Sequence, residues 1–356
     1  MSIHEKYMQQ AINLAIKSFG RVAPNPMVGC IIVYKGRVIG KGYHEKYGEA
    51  HAEINAIHSV KNKALLKDAT LYVTLEPCAH HGKTPPCADA IVKQGIKKVV
   101  IGCIDPNPLV KGKGIAKLMH SGCNIITGVL EKECTELNKR FFTFQREKRP
   151  YIILKWAMTK DGYMDRIRTI DEQPLKITGK EADKLSHKWR GEEQAIMAGT
   201  RTILMDNPRL TNRLTSGQLK DKSPIRILLD RNLVIPREAN IFNKFASVIV
   251  LNEKKNSQSG NTEFLKVKFK NNSLDTILNE LYKRNIQSIL VEGGASLLNS
   301  FISQNLWDEA RVFISAQKID NGIKAPTITG KLRFKIKTGS DTLYEYEYVP
   351  SVNSKM

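Results

Sequence analysis

Apolar and polar positions along this chain fall into two repeating series. Short apolar runs of strand length occur at 29–33, 71–75, 98–102 and 124–127, with helically spaced stretches between them. The first helical stretch opens the chain, with Met8, Ile12, Ala15 and Phe19 on one face. Acidic and polar residues interrupt it, so it does not read as a signal peptide. A second series starts at 151–156 and continues at 194–198, 225–230, 247–251 and 288–291. Strands alternating with helices predict mostly parallel sheets covered by helices, an α/β class. A charged stretch ending in Pro150 separates the series, giving expected domains 1–147 and 148–356. Two domains are also the ordinary expectation for 356 residues. The polar stretch 252–261 is expected as a loop. Beyond about Lys331 the pattern predicts nothing.

Composition narrows the class. No apolar run has membrane length. Six scattered cysteines make no disulfide framework. A soluble, cytoplasmic protein is expected. The net charge of +21 invites a nucleic-acid reading. Yet lysine outnumbers arginine, and the charges are spread rather than gathered into one stripe. A solvated surface accounts for them, and a few local cations suffice to attract a phosphorylated small molecule. Neither nucleic acid nor membrane is expected as a partner.

Four residues carry a more specific signal. His51 and Glu53 are followed by Pro77, Cys78 and then Cys87. One histidine, two cysteines and a nearby glutamate are the parts of a zinc deaminase, in which the glutamate is not a ligand. Three protein ligands leave the fourth position of a tetrahedral Zn²⁺ to water, made acidic enough to attack an amino-bearing ring carbon. A carboxylate must then carry protons, and Glu53 fits that task. Residues two apart mid-helix face nearly opposite ways, so His51 and Glu53 share a site only if a helix starts there. Gly48 and the spacing of Ala52, Ala56, Ile57 and Val60 allow it. Pro77 suits a helix's first turn, which would put Cys78 at a helix N-terminus. Taken singly, each cysteine reads as a small buried hydrophobe; the four parts in order favour one Zn²⁺ per chain. In the usual signature two residues separate the cysteines, whereas here eight do (79–86).

That loop, with Pro24 to Gly29, Gly42 to His44 and Asp105 to Pro108, resembles the deaminase half of the bifunctional riboflavin-biosynthesis deaminase/reductase family, within the cytidine-deaminase superfamily. The resemblance implies an α/β/α deaminase domain with zinc on His51, Cys78 and Cys87 and Glu53 as proton shuttle. It also implies substrate contacts from Asn25, His44, His80 and Lys83. The second half resembles the same family's reductase domain, with a dihydrofolate-reductase-like α/β fold and NADPH as cofactor. The matching residues are Lys155, Asp161-Gly162, Ile177 to Gly179, Arg190, Gly199 to Thr202, Asp206 to Arg213 and Val291 to Leu297. By this resemblance Lys155 is catalytic, Arg190, Leu210, Arg213 and Glu292 meet the substrate, and Met158, Lys176, Thr202, Asp206, Gly294, Ala295 and Ser296 meet the cofactor. The residues themselves add two strand–glycine–helix junctions, at Gly199 and at Gly293-Gly294, suited to phosphates. Arg190 and Arg213 could clamp a substrate phosphate bidentately. The family also suggests a homo-oligomer. No single residue demands NADPH rather than NADH.

One run departs from the family: Pro174 and Lys176 stand where a Ser and a Trp are usual. The expected function is deamination of a diamino-phosphoribosylamino-pyrimidinone, then NADPH-dependent reduction of its ribosyl chain. Two alternatives stay open. One is a tRNA deaminase with a C-terminal binding domain. The other is a deaminase whose second half is a non-catalytic binding module.

Overall fold

Ser2 sets the start of the first helix, α1 (Ile3–Ala15). Its hydroxyl accepts the Glu5 N–H while the Glu5 carboxylate accepts the Ser2 N–H, satisfying two otherwise orphaned donors. The computed structural model describes residues 1–80, 85–220, 222–269 and 273–350. The chain divides into two compact units between Lys148 and Arg149.

In the first unit α1 is followed by β1 (Gly29–Tyr34), β2 (Arg37–Tyr43), α2 (Ala52–Ser59), β3 (Thr70–Leu75), α3 (Cys87–Lys93), β4 (Lys98–Cys103), α4 (Lys113–His120), β5 (Asn124–Thr127), α5 (Glu131–Leu137) and α6 (Lys139–Glu147). The sheet order is β2-β1-β3-β4-β5. The β3, β4 and β5 strands run parallel, while β1 is antiparallel to both its neighbours. Side chains alternate across the sheet, and both faces are covered. Ile32, Val73 and Ile101 pack with Ala56, Ile91 and Leu118 on one side. Ile31, Tyr72 and Val100 pack with Met8, Ile12 and Phe142 on the other. Burying each such aliphatic side chain contributes about 1.5–3 kcal/mol. Two glycines permit the closest approaches. A Cβ on Gly42 would lie 2.3 Å from the Ala56 backbone nitrogen, so only glycine lets α2 lie against β2. On Gly114 it would lie 1.9 Å from the Pro77 carbonyl, where α4 meets the strand exit next to Cys78.

The second unit contains β6 (Tyr151–Met158), β7 (Tyr163–Asp165), α7 (Lys180–Glu192), β8 (Ala195–Gly199), α8 (Thr200–Asp206), β9 (Ile225–Leu229), β10 (Val248–Asn252), β11 (Ser257–Ser259), β12 (Thr262–Lys266), α9 (Ser273–Lys283), β13 (Ser288–Val291), α10 (Ala295–Ser303), β14 (Glu309–Ile314), β15 (Ile323–Lys324), β16 (Lys331–Thr338) and β17 (Asp341–Glu347). Ten strands form one sheet in the order β11-β12-β10-β9-β8-β13-β6-β14-β17-β16. Its middle, from β12 to β14, is parallel; β11, β17 and β16 join antiparallel. The β7 and β15 strands pair separately.

Four expectations need correction. Residues 77–80 are not helical; the helix starts at Cys87, with Pro86 as its cap. Part of 252–261 is strand, because Ser257–Ser259 pairs with β12. Phe19 lies beyond the helix that carries Met8, Ile12 and Ala15. The silent end of the chain forms the β16–β17 hairpin, and antiparallel edges make both large sheets mixed.

Candidate active sites

The expected helix start at His51 is what allows its pairing with Glu53. His51 is the N-cap residue of α2, in extended conformation, so its ring and the Glu53 carboxylate reach one space. The His51 Nδ1, Cys78 Sγ and Cys87 Sγ atoms lie within 4.8 Å of one another. His51 Nδ1 is 3.2 Å from Cys87 Sγ and 3.7 Å from Cys78 Sγ. A tetrahedral zinc with ordinary bond lengths needs about 3.5 Å between such nitrogen and sulfur donors, so the residues present fit the metal. The Cys87 N–H at the start of α3 also points to Cys78 Sγ, at 3.3 Å. A hydrogen bond from Cys87 holds the Cys78 thiol down at about 4, against burial, with His51 adding to the effect. Burial and the Cys78 thiolate push Glu53 up to about 7, a range suited to taking and giving protons near neutrality.

His51, Cys78 and Glu53 open into a cavity of about 240 Å³. Asn25, His44 and His80 line it with His51, Glu53 and Cys78. Lys83 lies outside the described residues. The Asn25 amide nitrogen is 3.1 Å from His44 Nε2, and His44 Nδ1 is 3.1 Å from the Ala50 carbonyl. That carbonyl can only accept, so Nδ1 carries the hydrogen and Nε2 accepts from Asn25. Burial lowers the pKa of His44, in keeping with this neutral form.

Sequence reasoning missed two supports of this cavity. Asn138 holds the Asn25 loop through both its amide atoms, on the Met27 N–H and carbonyl at 2.8 Å each. Glu76, 4 % exposed, accepts four backbone N–H groups, from Asp105, Gly112, Gly114 and Ile115, at 3.0–3.3 Å. It thereby ties the strand leading to Cys78 to the loop of Asp105 and to α4. Its place two residues before Cys78 was the available signal. Glu76→Gln turns an NH₂ toward donors that need an acceptor. It is expected to destabilise the first unit by about 2–4 kcal/mol, measured by chemical denaturation. A change below about 0.5 kcal/mol would count against this role.

In the second unit the expected residues gather in two places. Thr202, Asp206, Gly294, Ala295 and Ser296 line a cavity of about 710 Å³ that also takes in Gly199 and Gly293. The Gly294 N–H donates to Thr202 Oγ1 at 3.0 Å, joining the two glycine junctions. Met158 and Lys176 do not line this cavity. The Lys176 ammonium is largely exposed and pairs with Asp183 at 3.1 Å. The irregular stretch before Pro174 contributes Arg168 instead. Its side chain is nearly buried, with Nε 2.6 Å from Asp165, a close pair to Asp206, and bonds to the Glu172 and Met205 carbonyls.

The second gathering is a charge network. Arg190 grips Glu292 through Nε and Nη2, both at 2.8 Å, and Lys155 Nζ lies 3.6 Å from the same carboxylate. The fork of Arg190 is therefore engaged by Glu292, rather than held open for a phosphate. Arg213 is exposed; its Nη1 donates to Thr211 Oγ1 at 2.8 Å and its backbone N–H to His187 Nδ1 at 3.0 Å. Leu210 is buried beside them in the left-handed region, φ +47°. Burial pushes the Glu292 carboxyl up, but Arg190 and Lys155 more than reverse this and hold it at about 2. Burial and the two arginines hold His187 at about 4.

Comparison with known proteins decides the family. Residues 150–338 match the RibD C-terminal domain, and residues 1–103 match the cytidine and deoxycytidylate deaminase zinc-binding region. The chain belongs to the RibD family. It is 42% identical over 328 residues to riboflavin biosynthesis protein RibD of Aquifex aeolicus, covering 90% of this chain and 89% of that one. The Escherichia coli RibD is 35% identical over 87% of each chain. Among solved structures, a diaminohydroxyphosphoribosylaminopyrimidine deaminase/5-amino-6-(5-phosphoribosylamino)uracil reductase from Thermotoga maritima has a TM-score of 0.86 and 38% identity, over 98% of this chain and 99% of that one. Acinetobacter baumannii RibD (form 1) has a TM-score of 0.88 and 31% identity at the same coverage. As a RibD protein this chain is a zinc-dependent deaminase joined to an NADPH-dependent reductase, acting in riboflavin biosynthesis. Neither the tRNA deaminase nor the non-catalytic second half is favoured, because RibD relatives match across both units. Among the described residues no helix is long and apolar enough to cross a membrane.

Proposed function

We propose that the first unit removes the ring amino group of 2,5-diamino-6-(phosphoribosylamino)pyrimidinone, and that the second reduces the product's ribosyl chain to give 5-amino-6-(5-phosphoribitylamino)uracil. The observation that carries this reading is the first cavity. His51 and Cys78 of its metal donor set, with Glu53, Asn25, His44 and His80, line one space of small-molecule size, and Cys87 completes the donor set behind them. Zinc, held by His51, Cys78 and Cys87, supplies when bound a water acidified toward neutrality. Glu53 would carry one proton of that water to the ring nitrogen and then its second proton to the amine, which leaves as ammonia. Asn25 and the neutral His44 orient the ring; His80 and Lys83 meet the phosphoribosyl side.

In the second unit NADPH supplies the hydride. Lys155, held by Glu292, positions the ribosyl chain and carries the accompanying proton. Arg190 and Glu292 act as one unit, with Arg213 and Leu210 beside them at the substrate. Thr202, Asp206, Gly294, Ala295 and Ser296 hold the cofactor. Met158 supports its nicotinamide end from the end of β6, and Lys176 offers an outlying cation. The deaminase domain is assigned to 1–147 and the reductase domain to 148–356, one residue before the division between the compact units.

The chain works as a cytoplasmic homo-oligomer. Its cysteines are unbridged, which suits a reducing compartment. The edge strand β16 exposes Leu332, Phe334 and Ile336, a surface that a second copy would cover.

Purified zinc-loaded chain given the pyrimidinone and NADPH should release one ammonia per substrate and then consume one NADPH. No ammonia release would overturn the deaminase assignment. Ammonia without NADPH consumption would overturn the reductase assignment alone.

A further inference from the structure

The stretch 166–173 has no regular secondary structure, yet it is clasped at both ends. Asp165, the last residue of β7, holds it with one oxygen. Its Oδ1 accepts the Arg166 N–H at 2.9 Å and the Leu175 N–H at 3.0 Å. Arg166 also reaches the Gln173 carbonyl at 3.2 Å, and the Glu172 carboxylate accepts the Thr169 N–H at 2.6 Å. Arg168 then ties the stretch to α8. Its Nε donates to Asp165 Oδ2 at 2.6 Å, and its Nη1 to the Glu172 and Met205 carbonyls at 3.0 and 3.1 Å. Its Nη2 pairs closely with Asp206. Most of the guanidinium N–H groups are thereby used, and the side chain is 3% exposed. Arg168 is a fastener, with little left to offer a ligand.

We propose that Arg168 fastens 166–173 to α8 as a wall of the 710 Å³ cavity, and that Ile167, carried on that wall, packs against the coenzyme in place of the family's missing Trp. This rests on the reading that the cavity takes the coenzyme.

The lining of the cavity supports the substitution. Neither Pro174 nor Lys176 faces it, whereas Ile167 and Arg168 both do. Ile167 is 74% exposed and stands between two arginines. A lone exposed isoleucine is ordinary on a surface. This one is different because its backbone is fixed on both sides, by Arg166 on Asp165 and by the buried Arg168. A side chain ordered in advance gains apolar burial from a ligand without a further entropic cost. The fastening also reaches the expected coenzyme contacts. Thr202 in the first turn of α8 accepts the Gly294 N–H at 3.0 Å, and Arg168 holds the last turn. The helix that carries Thr202 and Asp206 is thus pinned at both ends, and the wall keeps a set distance from the glycine junction.

Two readouts in the zinc-loaded full chain test this. One is the Kd of NADPH from coenzyme fluorescence, and the other is amide hydrogen exchange across 166–175. In wild type, saturating NADPH should slow that exchange about fivefold or more. Ile167→Ala should weaken NADPH about fivefold and leave exchange in the coenzyme-free chain unchanged. Arg168→Ala should weaken NADPH about tenfold and speed exchange in the coenzyme-free chain about tenfold. Arg168→Lys, which keeps a cation beside Asp206, should fall between wild type and Arg168→Ala in both readouts. The double variant should bind within about twofold of Arg168→Ala, because both residues act through one wall. With NADPH saturating, kcat of the reduction should stay within about threefold in Ile167→Ala while KM for NADPH rises. Unchanged NADPH affinity in Ile167→Ala, an exposed site where folding is not at stake, overturns the contact. Unchanged exchange in Arg168→Ala overturns the fastening. A wild-type chain that binds NADPH without slower exchange at 166–175 overturns the wall and leaves the coenzyme reading standing. A wild-type chain that binds no NADPH overturns the coenzyme reading itself.

Discussion

Glu53→Gln should lower the rate of ammonia release by about 10³-fold while the chain still holds one zinc. The magnitude is that of losing a general acid–base group, about 10²–10⁴-fold. Glutamine keeps the size of the side chain and one carbonyl oxygen in place of the carboxylate. It cannot take a proton at neutral pH. Because His51, Cys78 and Cys87 would supply the donors, metal content measured by atomic emission should be unchanged. NADPH-dependent reduction of the pre-deaminated product should also be unchanged, since that chemistry sits in the other unit. A variant within tenfold of wild type would show that Glu53 is not the proton carrier. A variant that loses zinc would show that it serves the metal instead.

How far the sites were legible from sequence follows from what each residue needs. The gathering of His51, Glu53, Cys78 and Cys87 could be anticipated because the expected chemistry demands those residue types, and because Gly48 and the spacing of Ala52, Ala56 and Ile57 announce a helix start. Cys78 was misplaced for a local reason. Pro77 is compatible with a first helical turn, but Glu76 next to it binds the backbone of α4 and of the Asp105 loop. Those partners lie some 30–40 residues away, beyond any local pattern. The β1–β2 hairpin was missed because its turn is Lys35-Gly36, both with positive φ. Turns of that shape are usually announced by Asn-Gly or Asp-Gly. In β16 the alternation of Leu332, Phe334 and Ile336 with basic residues was present in the sequence. Its apolar face is exposed rather than packed, so no core expectation drew attention to it. Arg168 was hidden in another way: a charged residue in an irregular run signals a loop, and only the fold brings Asp206 across to it.

Glu292→Gln should cost the second unit about 3–5 kcal/mol between pH 5 and 8, because Arg190 and Lys155 are left facing a neutral amide in a largely buried site. The pH dependence has a definite sign. The Glu292 carboxyl lies near 4.5 when unperturbed and at about 2 in the folded chain. Between those values the unfolded chain binds the extra proton, so the ionised carboxylate contributes fully above about pH 4.5 and is lost as pH falls through 2. A shift of this size corresponds to about 3 kcal/mol. Wild type and variant should therefore differ most near neutrality and converge toward pH 2. All three tryptophans, Trp156, Trp189 and Trp307, lie in the second unit, so their fluorescence during urea unfolding reports that unit alone. His187 adds an acid destabilisation of its own, since its folded pKa lies below the ordinary histidine value. For that reason the gap between the two proteins carries the test, rather than the wild-type curve by itself. A gap below about 1 kcal/mol at pH 7, or one that does not narrow below pH 4.5, would mean that Arg190 and Lys155 do not depend on this carboxylate.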